Sequence, residues 1–142
     1  MVLYAKDIVE KDFLSVATGT TVADAAKAMK GSRHGFAVVG PPGQLEGIVT
    51  EWDIVSKVVA EGLDPAKVVV EGIMSREIVS VESNTGIETV SRLMNEKGIR
   101  RLLVKENGVV VGFITSKTLL AHLNEYVDRV LAQISRLQTP WF

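Results

Sequence analysis

The segment Gly47-Ile48-Val49-Thr50-Glu51-Trp52-Asp53 puts a hydroxyl and a carboxylate one helical turn apart. Its pattern reads as the end of a strand running into the start of a helix. Backbone N–H groups are unpaired there and the helix dipole is positive, so phosphate or hydroxyl oxygens are favoured. Gly47 lets a backbone or a ligand come close. The Thr50 hydroxyl donates and accepts, and Asp53 supplies two acceptor oxygens on the same face, a match for a cis-diol such as a ribose. Thr50-x-x-Asp53 is also a helix capping box, which needs no ligand. Both readings stand at this point. A second such segment, Gly112-Phe113-Ile114-Thr115-Ser116-Lys117-Thr118, keeps the glycine and the first threonine but has Thr118 in place of the carboxylate.

Other chemistry is sparse. The chain of 142 residues has no cysteine, which excludes disulfides and thiolate nucleophiles and fits a reducing compartment. It has two histidines, His34 and His122, far apart in sequence. There is no metal-ligand spacing, no Gly-rich phosphate loop followed by Lys, and no Gly-x-Ser-x-Gly elbow. The net charge of −1 carries no basic run suited to nucleic acid or to a lipid surface. No apolar stretch approaches the roughly 20 residues that span a bilayer. The N-terminal residues lack the pattern of a signal peptide, so a cytoplasmic location is expected.

The elements that must hold these residues occur twice. Residues 8–55 align on residues 73–120 without a gap at a constant offset of 65, with Ile8 on Ile73, Thr20 on Thr85, Met29 on Met94, Gly47 on Gly112 and Thr50 on Thr115. Each copy reads strand, helix, strand, strand, helix. Phe13–Val16 is rich in strand formers, and Val22, Ala25, Ala26 and Met29 have the spacing of a half-buried helix. Thr85-Gly86-Ile87-Glu88 reads as a capping box opening the matching helix. Phe36–Val39 and Leu102–Val104 are buried strands, and Asn107-Gly108 between apolar runs signals a hairpin. Asp64-Pro65 suggests a short helical turn before a linker. The last helix carries an apolar stripe from Leu119 to Leu137, and its extension beyond about residue 125 has no counterpart in copy one. That stripe either folds back on its own domain or meets a second chain. The expected organisation is a first repeat over 1–65, a second over 66–124, and a helical extension and tail over 125–142. Two copies cannot form a solenoid. They can pair face to face in an α/β (α+β) fold, with helices on the outer faces and a cleft on each side of a pseudo-two-fold axis, where small ligands bind.

The order of these motifs resembles the CBS-domain family (cystathionine-β-synthase domains), in particular the tandem pair called a Bateman module. Asp7-Ile8-Val9 and Gly72-Ile73-Met74-Ser75-Arg76 precede the first strands. The Ser-Val strand with Thr five residues after the Ser, His34–Val39, Gly98–Val104 and the two Gly-x-x-Thr segments complete the match. The resemblance covers about residues 5–125. It implies a non-catalytic sensor of an adenosine nucleotide (AMP foremost, with ADP and ATP), or of S-adenosylmethionine or a dinucleotide. It assigns the ribose to Thr50 and Asp53, with Ile48 beside them. The base falls to Glu77, Ile78, Val79, Gly98 and Ile99. By the same resemblance Arg100 and Arg101 meet phosphate and belong with the Thr115 cleft, whose base side is Phe13, Leu14, Ala17, Arg33 and His34. Strand alternation sends Arg100 and Arg101 to opposite faces, so one at most serves a given cleft. A homodimer through the helical faces is implied as well, with an unidentified protein target. The alternative is a partner-binding module whose clefts are vestigial.

Overall fold

The computed structural model describes residues 3–137. In chain order the elements are α1 (Ala5–Ile8), β1 (Ser15–Val16), α2 (Val22–Ser32), β2 (Phe36–Val39), β3 (Gly47–Thr50), α3 (Glu51–Ile54), β4 (Ser80–Glu82), α4 (Ile87–Lys97), β5 (Arg101–Glu106), β6 (Val109–Thr115) and α5 (Ser116–Leu137). The helix begun by α3 continues as a wider π-helical turn over Val55–Val59, and a 3₁₀ turn spans Val70–Gly72.

Each repeat builds one three-stranded sheet, ordered β1-β2-β3 and β4-β5-β6. The first pair in each sheet is parallel and crosses over through a helix, and the second is an antiparallel hairpin. The β5–β6 turn uses Asn107 and Gly108 at φ 52° and 77°, the double positive φ that suits the twist of a two-residue hairpin. The helices follow their apolar spacing. Val22, Ala25 and Met29 are buried on α2, and Val90 and Met94 on α4. The two sheets meet in a shared core of Phe36, Val38, Leu103, Val110 and Phe113, where the Phe36 and Phe113 rings pack edge to face at 4.9 Å.

The repeats exchange their lead-in segments. Ala5 and Ile8 are buried in the second repeat's core, whereas Val70, Ile73 and Met74 are buried in the first repeat's core. The backbone joins are equivalent: Val22 N–H donates to the Val68 carbonyl at 2.8 Å, and Ile87 N–H to the Leu3 carbonyl at 3.0 Å. A cut at residue 65 therefore separates sequence repeats but not packed units.

The expected capping box at Thr85 does not form. Gly86, one residue later, is the N-cap of α4 and has no side chain to accept a bond; the first helical N–H, that of Ile87, donates to the Leu3 carbonyl. Asp64-Pro65 forms a turn rather than a helix, with Ala66 N–H on Asp64 Oδ1 at 3.0 Å and Lys67 N–H on the Asp64 carbonyl at 3.0 Å. The α5 stripe does not fold back on its own domain. Leu119 is buried, but Leu120, Leu123, Val127, Leu131 and Ile134 are exposed. The aromatic tail proposed for docking, Trp141 and Phe142, lies outside the described residues. No described helix is long and apolar enough to cross a membrane.

Candidate functional site

Gly47 and Gly112 set the floor of the two clefts. A Cβ on Gly47 would lie 2.7 Å from the Ser75 carbonyl oxygen, and one on Gly112 would strike the Glu10 carbonyl. The close approach lets each lead-in segment pair with a return strand of the other repeat. Ile48 and Ser75 exchange two backbone bonds of 2.9 Å, and Phe113 and Glu10 do the same. Ser75 and Glu10 thus stand at equivalent points beside the two helix starts.

The first cleft is a cavity of about 610 Å³ in which Thr50 and Asp53 face walls from the second repeat. Thr50 caps α3. Its N–H donates to Asp53 Oδ2 at 2.9 Å, its hydroxyl donates to the same oxygen at 3.0 Å, and Asp53 N–H donates to Thr50 Oγ1 at 3.2 Å. Lys57 Nζ approaches the other carboxylate oxygen, Oδ1, at 3.0 Å and also donates to the Ile73 carbonyl at 2.8 Å. A carboxylate has about four lone-pair sites. Three are used here, so the capping box leaves one site open to a further donor, and a second donor has to share with Lys57.

Ile48, Glu77, Val79, Gly98 and Ile99 also line this cavity, as the sequence leads one to expect. Ile78 does not. It packs on the inter-sheet core instead, between Glu77 and Val79, which line the cavity. Gly98 turns the chain at φ 64° after α4, so that Ile99 follows into the cleft wall.

The arginines correct the expectation most. Arg100 lines the Thr50 cavity and not the Thr115 cavity, while Arg101 lines both. Alternation does not separate them, because β5 begins at Arg101 and Arg100 lies in the bend before it. The Arg101 guanidinium stacks on the Phe36 ring at 4.9 Å and reaches the Gly35 carbonyl at 3.5 Å. Thr50 and Asp53, the apolar walls Val79 and Ile99, and both Arg100 and Arg101 therefore line one cleft. Trp52, 70% exposed, stands at its edge rather than in a core.

The second cleft, about 500 Å³, holds Thr115 with Arg33 and His34, and also Glu10, Lys117 and His122, to which the sequence alone assigns no role. Leu14 is not among its lining residues and packs on the first repeat's core. Thr115 and Thr118 hydroxyls lie 2.9 Å apart, and Thr118 donates to the Glu10 carboxylate. His34 is held between Phe36 and Phe113, at centroid distances of 6.4 and 6.1 Å. Its buried Nε2 makes no hydrogen bond, with Asp12 Oδ2 at 3.5 Å. Among the described residues, no group of three or more His, Cys, Asp or Glu side chains could hold a metal.

Comparison with known proteins agrees with this architecture. The CBS-domain model matches residues 5–60 and 70–125. The chain is 33% identical over 132 residues to the CBS domain-containing protein YhcV of Bacillus subtilis, covering 92% of this chain and 94% of that protein. It spans 59% of the length of another relative, MK0525 of Methanopyrus kandleri. A hexameric CBS-CP12 protein from bloom-forming cyanobacteria superposes with a TM-score of 0.75 at 38% identity, covering 84% of this chain and 71% of that one. The CBS domain pair of protein MJ0100, solved in complex with 5′-methylthioadenosine and S-adenosyl-L-methionine, shares the fold with a TM-score of 0.77 at 24% identity, over 89% of this chain and 99% of that one. Two matched domains over most of the chain, on two sheets with exchanged lead-in segments and the clefts at their junction, identify the protein as a member of the CBS-domain family, carrying two CBS domains in tandem.

Proposed function

We propose that the chain is a non-catalytic regulatory module that binds an adenosine nucleotide, AMP foremost, in the Thr50 cleft. One observation carries this reading: Thr50 and Asp53, the apolar walls Val79 and Ile99, and Arg100 and Arg101 all line a single cavity. The carboxylate takes the ribose, the apolar walls take the base, and the guanidinium groups take phosphate, each by the chemistry it is suited to. The fold admits adenosine-type ligands, as the MJ0100 complex does. ADP, ATP, S-adenosylmethionine and a dinucleotide carry the same adenosine moiety and complete the test panel.

The module assembles as a cytoplasmic homodimer through its helical faces and signals to a protein target. The assembly reading is supported by exposed apolar side chains on two helices: Trp52, Val55 and Val59 on the first, and Leu120, Val127, Leu131 and Ile134 on α5. The same faces favour a second reading, a partner-binding module with unused clefts.

Thermal unfolding with and without AMP, ADP, ATP, S-adenosylmethionine and NAD separates the two. A ligand at 100 times its Kd adds about 2.7 kcal/mol. For a domain of this size that raises Tm by roughly 5–10 °C. A rise that Asp53→Ala removes supports the sensor. No rise with any of the five overturns it and leaves the interaction module.

A further inference from the structure

The two clefts are built on equivalent backbones, so their differences are differences of side chain. Where the first has Ser75, the second has Glu10, each fixed by the same pair of 2.9 Å backbone bonds to a return strand. Ser75 is short and leaves Asp53 open to the cavity it lines. Glu10 is long, and its carboxylate accepts the Thr118 hydroxyl, at the position equivalent to Asp53. The protons then follow. Thr118 has one hydroxyl proton and spends it on Glu10. The 2.9 Å contact between the two threonine hydroxyls must therefore use the proton of Thr115, whose oxygen also accepts from Thr118 N–H at 3.1 Å. Thr50 likewise spends its hydroxyl proton, on Asp53, so the difference lies one turn on: Asp53 lines its cavity with a lone pair open, whereas the Thr118 hydroxyl at the equivalent position is already covered by the Glu10 carboxylate.

The base side changes in step. Ile99, a wall of the first cavity, corresponds to His34 in the second, and His34 is held between the Phe36 and Phe113 rings. Val79 corresponds to Leu14; both pack on the core of their own repeat, but Val79 also lines the first cavity and Leu14 does not line the second.

We propose that Glu10 makes this pair a single-site module: its carboxylate occupies the diol position of the second cleft, so that a nucleoside ligand enters only at Thr50–Asp53. Glu10 is then a specificity-determining residue that acts by excluding ribose from a cleft the fold would otherwise duplicate. The inference rests on the nucleoside reading of the first cleft, and the experiment separates the two.

The test is calorimetric titration of AMP into the full chain, reading moles bound per chain. Wild type is expected to bind one, and Asp53→Ala none. The triple variant Glu10→Ser, His34→Ile, Thr118→Asp gives the second cleft the first cleft's side chains at these three positions, keeps Arg33, Arg101 and Lys117 in its lining as cations for the phosphate, and is expected to bind two. The double variant His34→Ile, Thr118→Asp, which keeps Glu10, is expected to return to one. Wild type binding two overturns the inference without any rebuilt variant. So does a folded triple variant that still binds one, or a double variant that binds two. If wild type binds none while the triple variant binds one that the double variant loses, the reading of the Thr50 cleft fails and the role of Glu10 stands. If neither wild type nor the triple variant binds AMP, both fail.

Discussion

Lys57 and Asp53 form the contact that joins the candidate site to the junction between the repeats. The ammonium lies 3.0 Å from Asp53 Oδ1 and donates to the Ile73 carbonyl at 2.8 Å, so one side chain spans the clamp and the lead-in of the second repeat. A ribose that brings both hydroxyls to Asp53 has to share Oδ1 with Lys57 and so loosens this link. That is a route by which occupancy of the cleft reaches the packing of the repeats, and it requires the ligand to bind one arrangement better than the other.

Replacing Lys57 by Met frees a carboxylate oxygen and removes the donor to Ile73. Adenosine is expected to bind roughly 2- to 10-fold tighter, the worth of one hydrogen bond. The unliganded protein is expected to lose about 1 kcal/mol in urea unfolding, because the pair is half exposed and the carbonyl loses a partner. Weaker adenosine binding would mean that Lys57 holds the ligand instead of competing with it.

Arg100→Ala is expected to weaken AMP roughly 10-fold or more, from the loss of one charge-assisted hydrogen bond, and to leave adenosine unchanged. Equal losses for both ligands would place the effect on the wall of the cleft and not on phosphate.

The two kinds of glycine in this chain should respond with opposite sign. Gly112→Ala forces a methyl group against the Glu10 carbonyl and to within 2.6 Å of the Val9 side chain, and overpacking of this kind costs about 1–3 kcal/mol. Gly31 lies in α2, where an added methyl group would have nothing within 4 Å, so Gly31→Ala is expected to add roughly 0.5–1 kcal/mol of helix propensity. Chemical denaturation of the two variants measures both. A neutral Gly112→Ala would contradict the close crossing of Glu10 over β6.

Light scattering at micromolar concentration is expected to give a dimer for the wild type and a monomer for Leu131→Asp with Ile134→Asp, since two charges then sit on the exposed α5 stripe. A monomeric wild type would remove the assembly reading.

Local pattern carried much of this architecture. The 65-residue offset pairs Thr50 with Thr115, and periodicity locates α2, α4 and the β5–β6 hairpin. What escapes it is non-local. The N-cap of α4 is Gly86, not Thr85, and the first helical N–H goes to a carbonyl from Leu3, more than 80 residues earlier in the chain. Arg100 falls in the first cleft because β5 starts one residue later than a strand pattern through both arginines implies. Glu10 meets Thr118 across 108 residues, and no motif joins them. One signal is present in the sequence: Glu10 aligns with Ser75 at the repeat offset, and a long acid against a short hydroxyl beside two equivalent helix starts marks a difference between the clefts.

The central claim is that Asp53 and Thr50 hold a ribose diol in addition to capping a helix. It is tested most directly by comparing the affinities of adenosine and 2′,3′-dideoxyadenosine for wild type and for Asp53→Ala. Wild type is predicted to prefer adenosine by roughly 10-fold or more, since hydrogen bonds to a charged group are at stake, and Asp53→Ala to have no preference. Equal affinities in the wild type, or a preference that survives the substitution, would contradict it.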